Sequence, residues 1–206
     1  MTVWQNQPII RVRKGRYLFN FFINISAGVG GKCSMEGKRL TSYAMEELEC
    51  PKCGHKHSLK KYKVINVTEK AKLKEEIMKN RLYQFSCEEC EYMAPLTYDS
   101  LYVDSRKNIM IYMAPVMNAE IKAEIAELEQ EKGIDKRLVD NINDLKEKIM
   151  IADNHLDDRV IEIIKIMYLD QIKKEMEDDT LLNILFDYNR DNYCFLVFFQ
   201  KKGIGK

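Results

Sequence analysis

Apolar residues recur along this chain in two rhythms, and the places where one gives way to the other divide it into elements. Alternation at period two marks strands. It predicts a strand entering Cys50 through Leu48, and a second through His57, Leu59, Lys61, Lys63 and Ile65, with β-formers dense from Tyr62 to Val67. Further strands are predicted at Leu82 to Phe85 and at Ala94 to Thr97. Leu101 to Val103 and Ile109 to Met113 read as a hairpin about the polar turn Asp104 to Asn108, ending at Pro115. Helical spacing takes over elsewhere. Leu73, Ile77 and Met78 predict a helix over Lys70 to Asn80 capped by Thr68, and Ile121, Ile125 and Leu128 predict one that stops at Gly133.

Beyond Gly133 a second helix is expected from Lys136 through Val139, Ile142, Leu145, Ile149 and Met150. A third runs from Arg159 to Met176 behind a cap at Asp157 or Asp158, burying Ile161, Ile164, Tyr168 and Ile172. Leu182, Ile184 and Phe186 then lead through the turn Asn189-Arg190-Asp191 into Tyr193 to Phe199, a closing hairpin. Its second strand is so apolar that it should be covered on both faces or paired with another chain. Cys194 within it reads as a buried thiol.

The N-terminal stretch fits this order least well. Arg11, Arg13, Lys14 and Arg16 precede the apolar run Tyr17 to Ile25, which has the outline of a secretory signal. Two asparagines interrupt it, and it is far shorter than the roughly 20 residues of a membrane span. An added strand or arm is the plainer expectation, and no transmembrane segment is expected. Alternatively, Gly30-Gly31-Lys32-Cys33-Ser34-Met35 can be encoded by a purine-rich stretch just ahead of an ATG, in which case synthesis starts at Met35. Gly28 to Gly31 lack the ending of a phosphate-binding loop. The expected organisation is therefore residues 1–45 as an N-terminal extension or start-site artefact, 46–117 as a first domain and 118–206 as a C-terminal α/β region, the last boundary set by a composition shift at Asn118.

Charge narrows the function classes. Lysine and arginine number 33 against 32 aspartates and glutamates, so the whole molecule makes no large positive field toward nucleic acid or anionic lipid. Hydrophobic residues are 46% of the chain, enough for a real core.

The chemistry lies in the cysteines. Four of the six form two C-x-x-C pairs, Cys50-Pro51-Lys52-Cys53-Gly54 and Cys87-Glu88-Glu89-Cys90. Two tight turns of this kind present four sulfurs to one tetrahedral ion, with Pro51 restricting the first turn and Gly54 free to take positive φ on leaving it. Soft thiolates match Zn²⁺, and four protein ligands leave no open position, so Cys50, Cys53, Cys87 and Cys90 are expected to hold a structural zinc. Iron in the same sulfur set and thiol–disulfide exchange at either pair are the alternatives. Such thiols suit a reducing, cytoplasmic compartment better than a disulfide framework. The fold class is α+β: a small antiparallel zinc-ribbon-like sheet with a short helix, then a helical region ending in a β-hairpin. Both knuckles would project from one end of that sheet.

Cys50-Pro51-Lys52-Cys53-Gly54-His55, Ile65-Asn66-Val67, the stretch Leu82 to Cys90, Leu101-Tyr102-Val103-Asp104 and Met110-Ile111-Tyr112 together resemble the CpXC domain, a prokaryotic family without an assigned activity. The similarity continues through Glu147 to Ile151 and Leu156 to Glu162, covering most of the chain after about residue 46. It implies a cysteine-defined metal domain and supplies no reaction. It also implies proline and glycine in the second knuckle, where this chain has Glu88 and Glu91.

His55 and His57 could replace a cysteine ligand but read better as surface or supporting groups. His155, among Asp153, Asp157 and Asp158, reads as part of a helix-linking loop rather than a proton relay. Lys56, Lys60, Lys61 and Lys63 around Tyr62 are the candidate contacts if the module binds nucleic acid, with phosphates on the lysines and a base on the ring. The leading reading is a structural Zn²⁺ site in a protein-interaction or scaffold module, with an unknown protein partner or self-association. Nucleic-acid binding is one alternative. A metal-dependent or redox enzyme is the other, although no compact acid–base or nucleophile set accompanies the cysteines.

Overall fold

The computed structural model describes the backbone of residues 9–12 and 16–20, and residues 39–175, 179–189 and 192–200. In chain order the elements begin with β1 (Ile9–Val12), β2 (Arg16–Asn20), β3 (Ser42–Glu49), β4 (Lys56–Asn66) and α1 (Lys72–Met78). A single 3-10 turn, Arg81–Tyr83, leads into β5 (Gln84–Ser86), β6 (Met93–Pro95), β7 (Ser100–Asp104) and β8 (Ile109–Met113). Then come α2 (Ala119–Glu129), β9 (Asp135–Val139), α3 (Ile142–Asp153), α4 (Asp158–Glu175), β10 (Thr180–Asn189) and β11 (Asn192–Gln200). The fold is α+β, with one mixed sheet and two antiparallel ones among the described residues. Two compact units divide the chain, Gly30–Lys148 in one and Met1–Val29 with Ile149–Lys206 in the other. The composition shift at Asn118 thus falls inside the first unit.

Within Gly30–Lys148 a five-stranded sheet has the order β3-β4-β7-β8-β9. β7 and β8 are buried at every residue, as strands covered on both faces must be. Leu101, Val103, Met110 and Tyr112 pack beneath Ile121 and Leu128 of α2, whose start is fixed by Asn118 Oδ1 accepting the Ile121 N–H at 2.8 Å. Asp104, buried at the end of β7, accepts the Arg106 N–H at 3.1 Å and lies 4.0 Å from Lys74 Nζ. The β5–β6 ribbon is separate from this sheet.

In the other unit the order is β1-β2-β11-β10, all antiparallel. The apolar β11 has β10 on one edge and β2 on the other, which answers its need for partners. Phe195, Val197, Ile184 and Phe186 form a core with Ile161 and Ile172 of α4, joined by Ile164, Tyr168 and Leu169. Cys194 is buried there, and burial pushes its thiol up to about 11.

Three sequence expectations change. The small sheet is not purely antiparallel, because β4 pairs in parallel with β7 over Val64 to Asn66, and β8 in parallel with β9. The helix expected from Lys136 instead opens as strand β9, since the edge of β8 offers Asp135–Val139 a full ladder. α3 begins only at Ile142, with Asn141 Oδ1 accepting the N–H groups of Asn143 and Asp144. Thr68 does not cap α1; its hydroxyl accepts the Ser105 N–H at 2.8 Å, and the helix starts after Ala71 without a side-chain cap. Gly28 to Gly31, Cys33, Met35 and the end of the apolar run at Phe21 to Ile25 lie outside the described residues.

Candidate metal centre

Each cysteine pair sits in the turn between two antiparallel strands, Cys50 and Cys53 between β3 and β4, Cys87 and Cys90 between β5 and β6. The two turns share one hydrogen-bond plan. Cys50 N–H donates to the His55 carbonyl and Gly54 N–H to the Cys50 carbonyl, both at 2.8 Å. In the second turn Cys87 N–H donates to Tyr92 at 2.8 Å and Glu91 N–H to Cys87 at 3.0 Å. Gly54 has φ +74° and Glu91 φ +57°, so the glutamate takes the left-handed conformation that glycine takes in the first turn. The departure noted at Glu88 and Glu91 therefore leaves the turn geometry intact.

The turns bring all four sulfurs together. Every Sγ lies within 4.8 Å of the others, with Cys50 to Cys90 and Cys53 to Cys87 each 3.6 Å apart. A tetrahedral ion with metal–sulfur bonds of about 2.3 Å separates its sulfurs by about 3.8 Å. The donor set and the spacing fit such an ion, and among the described residues this is the one cluster with that property.

Electrostatics gives a second test. Burial works against ionising Cys50, yet the backbone at Cys53 and Lys52 and the thiols of Cys53 and Cys90 overcome it and bring its pKa down to about 7. At Cys53 the backbone at His55 favours the thiolate, but burial and the three other thiols prevail and push it up to about 12. Cys90 is also raised, first by burial and then by Cys87 and Cys50. Of Cys50, Cys53 and Cys90, the first gives up its proton readily and the other two are held protonated by burial and their neighbours. A divalent cation reverses that preference by taking the place of the retained protons.

The centre is half sealed. Cys50 and Cys87 are buried against Phe85 with Leu48, Leu59, Tyr92 and Leu96 around them, while Cys53 is exposed. Lys52 directs Nζ to the Cys90 carbonyl at 3.4 Å. His57 proves to be the closest supporting group, its Nε2 3.2 Å from Cys87 Sγ. The sequence reading placed it only loosely. Its position opposite Leu48, on the face of β4 that also carries Leu59, was the available signal.

The other candidates fall elsewhere. Lys56, Lys60 and Tyr62 share one face of β4 and Lys61 lies on the other, while Lys63 falls at the register shift between Tyr62 and Val64; Lys61 Nζ pairs with Glu46 at 2.5 Å and Lys60 Nζ sits 4.9 Å over the Tyr43 ring. Lys56 lies across the ladder from Glu49. In the 153–158 loop, Asp157 caps α4 by accepting the Arg159 N–H at 3.0 Å, and His155 takes φ +55° where α3 ends.

The CpXC protein family matches residues 48–165, more than half of the chain and both cysteine turns. The chain belongs to the CpXC protein family. No curated protein and no solved structure matches it. The CpXC match begins at the end of β3, just before the first knuckle, and runs to the middle of α4, so it spans parts of both compact units.

Proposed function

We propose that this CpXC protein holds one structural Zn²⁺ through Cys50, Cys53, Cys87 and Cys90, in a zinc-ribbon-like pair of hairpins, and acts as a protein-interaction or scaffold module. The observation that carries the metal reading is the convergence of four sulfurs from two matching turns, 3.6 Å apart in cross-turn pairs. The ion would supply cohesion between the β3–β4 and β5–β6 hairpins, whose shared apolar cluster is small. Reduced ligand thiols go with a cytoplasmic setting. The interaction role is supported by apolar side chains left in solvent on α4, chiefly Ile163, Ile166 and Met167.

Anaerobic purification followed by elemental analysis tests the metal reading. One zinc per chain is expected, and Cys50→Ser or Cys87→Ser should lose both the metal and the cooperative unfolding of Gly30–Lys148. Stoichiometric iron, or folded protein without metal, would reject it.

A further inference from the structure

α4 has two apolar faces where a surface helix ordinarily has one. The inner face, with Ile161 and Ile172, is buried against β10 and β11. On the outer side Val160, Ile163, Ile166 and Met167 are 36%, 56%, 68% and 72% exposed. Four large apolar side chains within two helical turns make a contiguous patch of the kind that marks an interaction surface.

The charges around the patch say what covers it. Arg159 lies one i,i+4 step before Ile163, and Asp170 one such step after Ile166. Both are exposed. Read from either end, the face runs charge, isoleucine, isoleucine, charge, with the two charges of opposite sign. An identical helix laid alongside in reverse sets Ile163 against Ile166 and Arg159 against Asp170, and the two-fold repeats both contacts. In the parallel arrangement Arg159 would meet Arg159 and Asp170 would meet Asp170. A pattern complementary to its own reverse is what an isologous interface requires. Arg159 also holds Asp157 through Nε at 2.9 Å and one terminal nitrogen at 2.5 Å, and its guanidinium carries five N–H donors in all.

We propose that the outer face of α4 is a homodimer interface, in which α4 of a second copy packs antiparallel with Ile163, Ile166 and Met167 at the centre and reciprocal Arg159–Asp170 pairs at the ends. This names the partner for the interaction role proposed above and rests on that role, but it does not depend on the metal. One helix pair is a small interface, so the dimer is weak and concentration-dependent.

Sedimentation equilibrium and native mass spectrometry of the full zinc-loaded chain across the micromolar range test it. The wild type should pass from monomer to dimer. Ile166→Glu, at a solvent-facing position, should weaken dimerisation at least about tenfold. Arg159→Glu and Asp170→Arg should each weaken it about three- to tenfold, and the double exchange R159E/D170R should restore it, because reversing both ends regenerates complementary pairs. A chain that stays monomeric, a dimer indifferent to Ile166→Glu, or single exchanges that the double variant does not rescue would each overturn the proposal. Metal content measured on the same samples separates the two readings: zinc-bound monomer defeats the dimer alone, and metal-free dimer defeats the metal reading alone.

Discussion

The imidazole Nε2 of His57 lies 3.2 Å from the sulfur of Cys87. Bound to the proposed ion, Cys87 would be a thiolate that can only accept, and His57 would then donate its Nε2–H. The ring is held for that task edge-on to Phe85 at 5.3 Å and against His55 at 4.8 Å. A hydrogen bond to a ligand sulfur draws off charge and fixes the rotamer of the ligand. Replacing His57 with Phe should lower zinc affinity about tenfold in chelator competition, and shift the sulfur-to-metal charge-transfer band of the cobalt-substituted protein. His57→Gln, which keeps a donor, should recover part of both. An unchanged band and affinity in His57→Phe would mean that the ring only fills space.

The matched turns carry different strain. A non-glycine residue in the left-handed region costs about 1 kcal/mol, and Glu91 sits there at φ +57° where the first turn has Gly54 at +74°. Glu91→Gly should therefore stabilise the metal-loaded protein, by up to about 1 kcal/mol before the entropy of glycine is counted. Gly54→Ala should destabilise it by about 1 kcal/mol; the added Cβ meets only Glu49 Oε1 at 3.5 Å, so backbone strain and not collision is the cause. Denaturant unfolding of the two variants measures both effects.

Behind the second knuckle, Tyr83 and Ser100 share a buried 2.6 Å hydrogen bond. Tyr83→Phe should cost about 1–2 kcal/mol at neutral pH because it leaves the Ser100 hydroxyl buried alone. Adding Ser100→Ala should return part of that loss. Burial raises the Tyr83 phenol to about 12, with the Ser100 bond acting weakly the other way. The folded state thus retains a proton that the unfolded chain releases near pH 10. The resulting contribution is fully present below about pH 10 and is lost as pH rises toward 12, so the alkaline fall in stability should be shallower in Tyr83→Phe than in the wild type. Equal alkaline slopes would contradict this.

Local pattern carried much of this architecture. The two cysteine turns, the β7–β8 hairpin, α2, the buried stripe of α4 and the closing hairpin are all written in short-range spacing. Non-local pairing was not. Lys136, Val139 and Ile142 have helical spacing, but a strand partner at β8 captures Asp135–Val139, and nothing local announces a parallel neighbour. The same holds for β4 beside β7. Thr68 resembled a cap because its competing partner, the Ser105 N–H, comes from a distant turn. At the candidate metal centre the four clustering cysteines were legible from their spacing, whereas the placement of His57 and the conformation of Glu91 needed the folded hairpins. The outer face of α4 was concealed by the inner one, since Val160, Ile163, Ile166 and Met167 interleave with the core stripe.

Convergence of four sulfurs on one ion is the claim on which the interpretation of this CpXC protein turns. X-ray absorption at the metal edge of anaerobically purified, zinc-replete protein tests it directly. One zinc per chain, with four sulfurs at about 2.3 Å and no oxygen or nitrogen in the first shell, is the predicted result. Fewer than four sulfurs, or reduced and cooperatively folded protein that takes up no zinc, would contradict it.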